Sequence, residues 1–304
     1  MLKNEVGTKW REIRWNDVFQ QKIIADKYFM RSGLIRKDLL VLYAAQWMPE
    51  THVVSNYQQL AEITEVSKHK YWVLKLCDSS NAYGIHFFCQ NDTVQMQQCF
   101  DDKQKRVLQQ YITPWLTIDQ RKFHLRALVL AVGHLDVYVF HDIRVLIATK
   151  MYSDTDMDDP FVHITNQSTN KEHGDYNEAE QNVPLSMLNM HGLNVKSVTD
   201  QIHCITRGIF LKITASKNRR HFFSLPNCYE LFGFDFMIDG LGQVKVLEVN
   251  PDPSLHMYHG QAILPFDVSK AVPSDTFKHI FSLDAVEAFS TMRTRSNQSS
   301  GKDD

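Results

Sequence analysis

The segment from Glu230 to Pro251 carries the residues best suited to chemistry. It reads Glu230-Leu-Phe-Gly-Phe-Asp235-Phe-Met-Ile-Asp239-Gly240-Leu-Gly242-Gln-Val-Lys-Val-Leu-Glu248-Val-Asn250-Pro251. Asp239-Gly240 and Gly242 are turn signals between two apolar runs, so Cys228 to Asn250 predicts a β-hairpin. Glu248 and Asn250 are two apart and share a face. Antiparallel pairing that sets Asp235 opposite Val246, or close to it, brings all three to one side. Phe234, Phe236, Ile238, Leu247 and Val249 then point the other way, into a core. Two carboxylates and an amide on one face supply the hard oxygen ligands that Mg²⁺ takes, with water or substrate phosphate in its other positions. A half-exposed hairpin with a merely solvated polar face uses the same residue types, so spacing alone leaves both readings open. His256 and His259, just beyond, lack a third ligand at suitable spacing.

Cations come next. Lys75 is embedded in the apolar run Val73-Leu74-Lys75-Leu76, while Lys37, Lys122 and Arg126 read equally well as solvated or ion-paired surface charges. The elements that must position these groups follow from periodicity. Helical spacing covers Leu34 to Trp47, stopped by Pro49, then Asn56 to Lys68 and Val195 to Ile213, with a polar helix over Asn91 to Gln104. β-type runs cover Tyr71–Leu74, Ile85–Phe88 and Val107–Ile112. Lys122–Val132, Leu135–Phe140 and Val145–Ala148 read as an antiparallel meander. Residues 152–182 hold eight acidic residues and one lysine, which predicts a long mobile loop.

The chain has 304 residues, 33 Lys+Arg against 35 Asp+Glu, and 43% hydrophobic residues. That composition excludes an intrinsically disordered chain. A net charge of −2 argues against broad phosphate contacts, so no direct nucleic-acid binding is expected. No apolar run reaches the roughly 18 residues of a membrane span, so no membrane partner is expected. Cys77, Cys89, Cys99, Cys204 and Cys228 are odd in number and scattered, which fits a reducing compartment and a cytoplasmic location.

The string Phe232-Gly-Phe-Asp-Phe-Met-Ile-Asp239, followed by Val246-Leu-Glu-Val-Asn-Pro-Asp-Pro-Ser-Leu255, resembles the metal-binding hairpin of ATP-grasp ligases of the tubulin-tyrosine-ligase-like family. Five further segments resemble that family in order. Gly33-Leu-Ile-Arg-Lys37-Asp-Leu resembles its early Arg-Lys segment. Trp72-Val-Leu-Lys75 with Ser79-Ser80 and Gly84-Ile85 resembles its phosphate-covering hairpin, and Gln109-Gln110-Tyr111-Ile112 its adenine hinge. Lys122-Phe-His124-Leu-Arg126 resembles its Lys-Phe-Asp-Ile-Arg, and Ile164-Thr165-Asn166 its Leu-Thr-Asn. The match is to the fungal branch, in which such a domain follows a SurE-like domain in a P-body-associated protein.

The resemblance implies an α+β ATP-grasp fold of two lobes whose antiparallel sheets sandwich ATP. It implies a short N-terminal segment over 1–32, the ATP-grasp domain over 33–291 and a disordered tail over 292–304. ATP and Mg²⁺ are the implied cofactors, with Asp235, Glu248 and Asn250 on the metal. Lys37, Lys75, Gln109, Gln110, Tyr111, Ile112, Lys122, His124, Thr165 and Asn166 would hold the nucleotide. Lys75 and Arg126 would act in catalysis, and Lys171 would meet the acceptor or the added amino acid. The implied activity joins an amino acid such as tyrosine to a protein or peptide carboxylate through an acylphosphate, a tubulin tail being the family acceptor. The alternatives are a catalytically weak interaction module among P-body and mRNA-decapping proteins, and a small-molecule carboxylate–amine ligase. Among the departures from the family, His124 replaces its aspartate, Val145–Ala148 lacks its strand arginine, and the loop Asp78–Asn81 has no basic residue. About 32 residues precede Gly33, fewer than the N-terminal domain family enzymes place there, so a partly missing acceptor site is expected.

Overall fold

A computed structural model describes residues 9–258, apart from 81, 115 and 216–218, together with 289–293. The helices are α1 (Trp15–Phe19), α2 (Ser32–Ile35), α3 (Lys37–Ala44), α4 (Tyr57–Val66), α5 (Pro160–His163), α6 (Gln167–Asn170), α7 (Glu178–Gln181) and α8 (Val195–Thr214). The strands are β1 (Thr51–Val54), β2 (Tyr71–Leu76), β3 (His86–Cys89), β4 (Arg106–Gln110), β5 (Phe123–Val132), β6 (Asp136–Phe140), β7 (Arg144–Ile147), β8 (Asn182–Pro184), β9 (Tyr229–Ile238), β10 (Val244–Pro251) and β11 (Phe289–Arg293).

These strands make two antiparallel sheets. The smaller has the order β1-β4-β2-β3. The larger runs β10-β9-β5-β6-β11, with β7 on β5 and β8 on β7. The expected meander is corrected here. β6 pairs Val129–Val132 of β5, and β7 returns to pair Phe123–Arg126 of the same strand. β9 occupies the other edge of β5 over Leu125–Val132, so β6 and β7 lie end to end.

The alternation of β5 separates core from site. Leu125, Ala127, Val129 and Ala131 face a buried cluster that α8 covers with Val198, Ile202, Ile205, Ile209 and Ile213. Each such aliphatic side chain stabilises the fold by about 1.5–3 kcal/mol on burial. α8 forms because those residues recur every three or four positions and because the Asn194 side chain accepts from the Ser197 N–H at its start. His124 and Arg126 point to the opposite face. In the smaller lobe, Asn56 caps α4 by accepting from the Gln59 N–H, and the Gln59 side chain accepts from the Ser55 N–H in return.

Other sequence expectations shift in detail. The helix from Leu34 breaks at Arg36 into α2 and α3, then ends in a 3-10 turn over Ala45–Trp47. The polar helix expected near Asn91 is a 3-10 stretch over Gln90–Phe100. The segment 152–182 is not one long loop: it carries α5, α6 and α7 and buries His163, Asn170 and Gln181. Residues ahead of Gly33 join the main core through Val18, Ala25 and Tyr28. β11 reaches Arg293, two residues into the stretch 292–304 expected to be disordered; 294–304 and His259 lie outside the described residues.

Candidate active site

The two sheets face each other across a cleft. Lys37, Lys75, Gln109, Gln110, Tyr111, Ile112, Lys122, His124, Thr165, Asn166, Asp235 and Glu248 all line it. Residues from six separate segments therefore converge on one space. Lys171 does not join them. It is 48% exposed and pairs with Glu178 at 3.6 Å, so the expected acceptor contact has no counterpart among the lining residues.

The acidic end is built as a row across three strands. Arg126 on β5 is the backbone partner of Asp235 on β9, and Asp235 is the partner of Glu248 on β10. The expected register near Val246 is corrected by a β-bulge between Val246 and Glu248, which moves Asp235 opposite Glu248 itself. The same irregularity takes Leu247 out of the expected core face and into the cleft lining. Asn250, paired with Gly233, donates its amide to Asp235 Oδ2 at 3.0 Å and to Glu248 Oε1 at 3.3 Å.

Arg126 grips Asp235 with two nitrogens, the Nη2–Oδ2 contact being 2.9 Å. This is the cross-strand ion pair that stands as the alternative to a functional role for Arg126. Burial by itself raises the Asp235 carboxyl, but Arg126 and His124 outweigh it and hold the group well below the usual carboxylate range. His124 Nδ1 meets the Thr165 hydroxyl at 2.5 Å, while its buried Nε2 has no hydrogen-bond partner and lies 3.5 Å from Asp235 Oδ1.

Three lysines also line the cleft. Lys37 Nζ donates to the Ser79 carbonyl at 2.7 Å and sits 3.2 Å from Glu248, so it ties the loop after β2 to the acidic row. Lys75 donates to Gln109 Oε1 at 2.7 Å. Burial pulls its ammonium down to about 8, with Glu248 opposing and Lys37 assisting. Lys122 lies 3.9 Å from the Tyr111 ring centroid, and burial followed by Lys75 pulls it to about 7. Asn166 accepts from the Ser168 N–H and hydroxyl, an ordinary α6 cap at the cleft edge.

Sequence reasoning missed the hinge-end cage of Phe87, Tyr111 and His163, in which the Tyr111 hydroxyl meets His163 Nδ1 at 2.9 Å. In the sequence Val162-His163-Ile164 reads as a stray apolar patch. No spacing rule links it to a tyrosine 52 residues away.

The donor set suits a hard divalent ion. Among the described residues no three His, Cys, Asp or Glu side chains cluster to hold a metal, but here the third donor is an amide. A half-turn of the Asn250 amide replaces its NH₂ with its oxygen, and the row then presents oxygens alone. Lys37 and Arg126 already balance the two carboxylates, so an incoming cation competes with them.

The sequence pattern of the tubulin-tyrosine ligase family matches residues 11–280. A probable tubulin–tyrosine ligase of Saccharomyces cerevisiae, PBY1, is 30% identical over 65% of this chain and 32% of its own length. A probable tubulin–tyrosine ligase of Schizosaccharomyces pombe is 27% identical over 81% of this chain and 75% of its own. A probable human tubulin polyglutamylase, TTLL2, is 30% identical over 67% of this chain. The match thus spans about a third of the yeast and human relatives, 32% and 35% of their lengths. Among solved structures, the C-terminal domain of K. lactis Pby1, an ATP-grasp enzyme interacting with the mRNA decapping enzyme Dcp2, superposes with a TM-score of 0.55 at 23% identity. It covers 81% of this chain and 73% of that one, and it establishes the ATP-grasp fold. With six motif segments in order, two facing antiparallel sheets and a match over most of its length, the chain belongs to the tubulin-tyrosine ligase family.

Proposed function

We propose that the chain is an ATP-dependent carboxylate–amine ligase that joins an amino acid to a protein or peptide carboxylate. The observation that carries this reading is the convergence of Lys37, Lys75 and Lys122 with Asp235 and Glu248 in one cleft, with Arg126 paired to Asp235 behind them. Transfer of a phosphoryl group needs positioning and charge neutralisation more than covalent help. The lysines would carry positive charge along a triphosphate, which would restore the charge that burial draws from Lys75 and Lys122. The hinge, Gln109 to Ile112, borders the apolar end of the cleft, where Val73, Phe87, Met237 and Leu247 suit a purine. Asp235, Glu248 and Asn250 would hold Mg²⁺, which when bound neutralises charge on the transferring phosphate. Arg126, paired with Asp235, would face the acceptor carboxylate as an acylphosphate forms and an amine displaces the phosphate.

Two of the departures from the family bear on this. His124 and Leu146 are direct partners across β5 and β7. The aspartate and the strand arginine are therefore lost on facing stretches, which leaves no charge of the pair stranded in a buried sheet. His124 keeps a polar atom in the cleft, its unpartnered Nε2.

A second reading is supported by the description of the solved neighbour as interacting with Dcp2. In it the chain docks on an mRNA-decapping protein in cytoplasmic P-bodies, and its cleft binds nucleotide with little turnover. Calorimetry of ATP with and without Mg²⁺ tests the site. The wild type is expected to bind more tightly with Mg²⁺ and Glu248→Gln to lose most of that gain; equal affinity and no metal effect in both would sink the metal assignment. A panel of amino acids with a tubulin-tail peptide then separates ligase from docking module.

A further inference from the structure

The segment ahead of α2 is joined to the acidic row by one buried charge. Residues 25–30 form a strap along the start of β9. The Ala25 N–H donates to the Asn227 carbonyl at 3.1 Å, and the Phe223 N–H donates to the Met30 carbonyl at 2.9 Å. Between these ends the Tyr28 N–H donates to Glu230 Oε2 at 3.0 Å, and Arg31 pairs with the same buried carboxylate. The strap is therefore fixed without help from Lys27. Yet the Lys27 side chain is only 3% exposed, and its ammonium reaches Asp252, with Asp26 at 3.9 Å.

Asp252 is the second residue after Asn250 and stands between Pro251 and Pro253. It holds φ at +51°, a left-handed conformation that aspartate tolerates better than most residues but that the following proline disfavours. The Lys27 ammonium pairs with its carboxylate there. The turn it sets brings Pro253 down on Gly233, the backbone partner of Asn250. A Cβ at Gly233 would lie 3.0 Å from Pro253 Cβ and 3.3 Å from Arg126 Cδ. A side chain there would crowd both, so the turn and the stem of the arginine that grips Asp235 both lie close over Gly233.

We propose that Lys27 is a positioning residue for the metal-bearing end of β10. By holding Asp252 it fixes the turn after Asn250 and, through Pro253, the seat of Arg126. This role rests on the assignment of Asp235, Glu248 and Asn250 to a metal. Lys27 touches neither nucleotide nor metal ligand; it acts through backbone geometry, as outer partners of metal sites do.

The test is calorimetry of ATP with and without Mg²⁺ on the full chain. Lys27→Met removes the charge and keeps the length. It is expected to reduce the Mg²⁺-dependent gain in affinity about tenfold while metal-free affinity stays within about twofold. Lys27→Arg is expected to restore the gain. Asp252→Asn, at a side chain 55% exposed and so tolerant of change, should reproduce the loss, and the double variant should add nothing. A full gain in both single variants overturns the proposal alone. An equal loss with and without metal overturns it in favour of a folding role. A wild type with no Mg²⁺-dependent gain overturns the metal assignment and the proposal with it.

Discussion

Two lysines buried in one cleft give up charge that a phosphate would restore. Lys75, drawn down to about 8 by burial, and Lys122, drawn down to about 7 by burial and by Lys75, are half or less protonated at pH 8. A triphosphate between them favours the charged forms. Binding at pH 8 is therefore expected to take up about one proton. Calorimetry in buffers of different ionisation enthalpy reads that number directly, and zero uptake would separate the lysines from the phosphates. The sign for the free protein is opposite. An unfolded lysine titrates near 10.4, so between about pH 7 and 10 the unfolded chain holds more protons than the folded one. These two groups thus add stability as pH rises through that window, while ATP affinity falls. Apolar flanks made Lys75 legible as a site residue in the sequence. The depth of Lys122, stacked on Tyr111, was not, because the tyrosine arrives from another strand.

Among the elements, the β9–β10 hairpin was readable because Asp239-Gly240 and Gly242 mark its turn, and the turn forms there with Gly242 at φ +75°. Its register was not, because one bulged residue shifts every partner beyond it and leaves no sequence mark. That residue decides the chemistry. Without it Glu248 would lie opposite Phe234 and share that residue's core-facing side, since a one-residue slip inverts the faces of a strand. Packing between elements is equally hard to read from the chain. α8 crosses the 3-10 turn at Gly208, where a Cβ would lie 2.3 Å from two ring atoms of Trp47. The ring is rigid, and Lys212 covers it from 4.9 Å. Gly208→Ala is therefore expected to destabilise the fold by about 1–3 kcal/mol, read as a lower unfolding midpoint. Pairing it with Trp47→Leu should recover part of the loss, and an unchanged midpoint in Gly208→Ala would refute the close packing. The apolar period of α8 was plain in the sequence, but nothing in that period marks Gly208 as a contact, because the ring it meets comes from a distant part of the chain.

Across the whole molecule, the acidic stretch 152–182 links the two lobes. His163 on α5 meets Tyr111 at the end of the smaller sheet, and the Tyr71 hydroxyl donates to Asp154 at 3.4 Å. The stretch reads as a mobile loop in the sequence because one-turn helices are too short to show a period, and its acidity suggests only solvation. Burial lowers the His163 imidazole and so favours its neutral form. Its Nε2 donates to the Asp156 carbonyl at 2.7 Å, which leaves Nδ1 to accept from the Tyr111 hydroxyl. The pair fixes the hinge end of the cleft, a task separate from that of the acidic row. His163→Ala is thus expected to weaken ATP binding by about 1 kcal/mol, roughly fivefold, through the lost hydrogen bond and the loosened cage. The loss should be the same with and without Mg²⁺, unlike that of Lys27→Met. Calorimetry under both conditions decides it. A loss confined to the Mg²⁺ arm would mean that α5 serves the metal end and that the hinge has been assigned to the wrong side of the cleft.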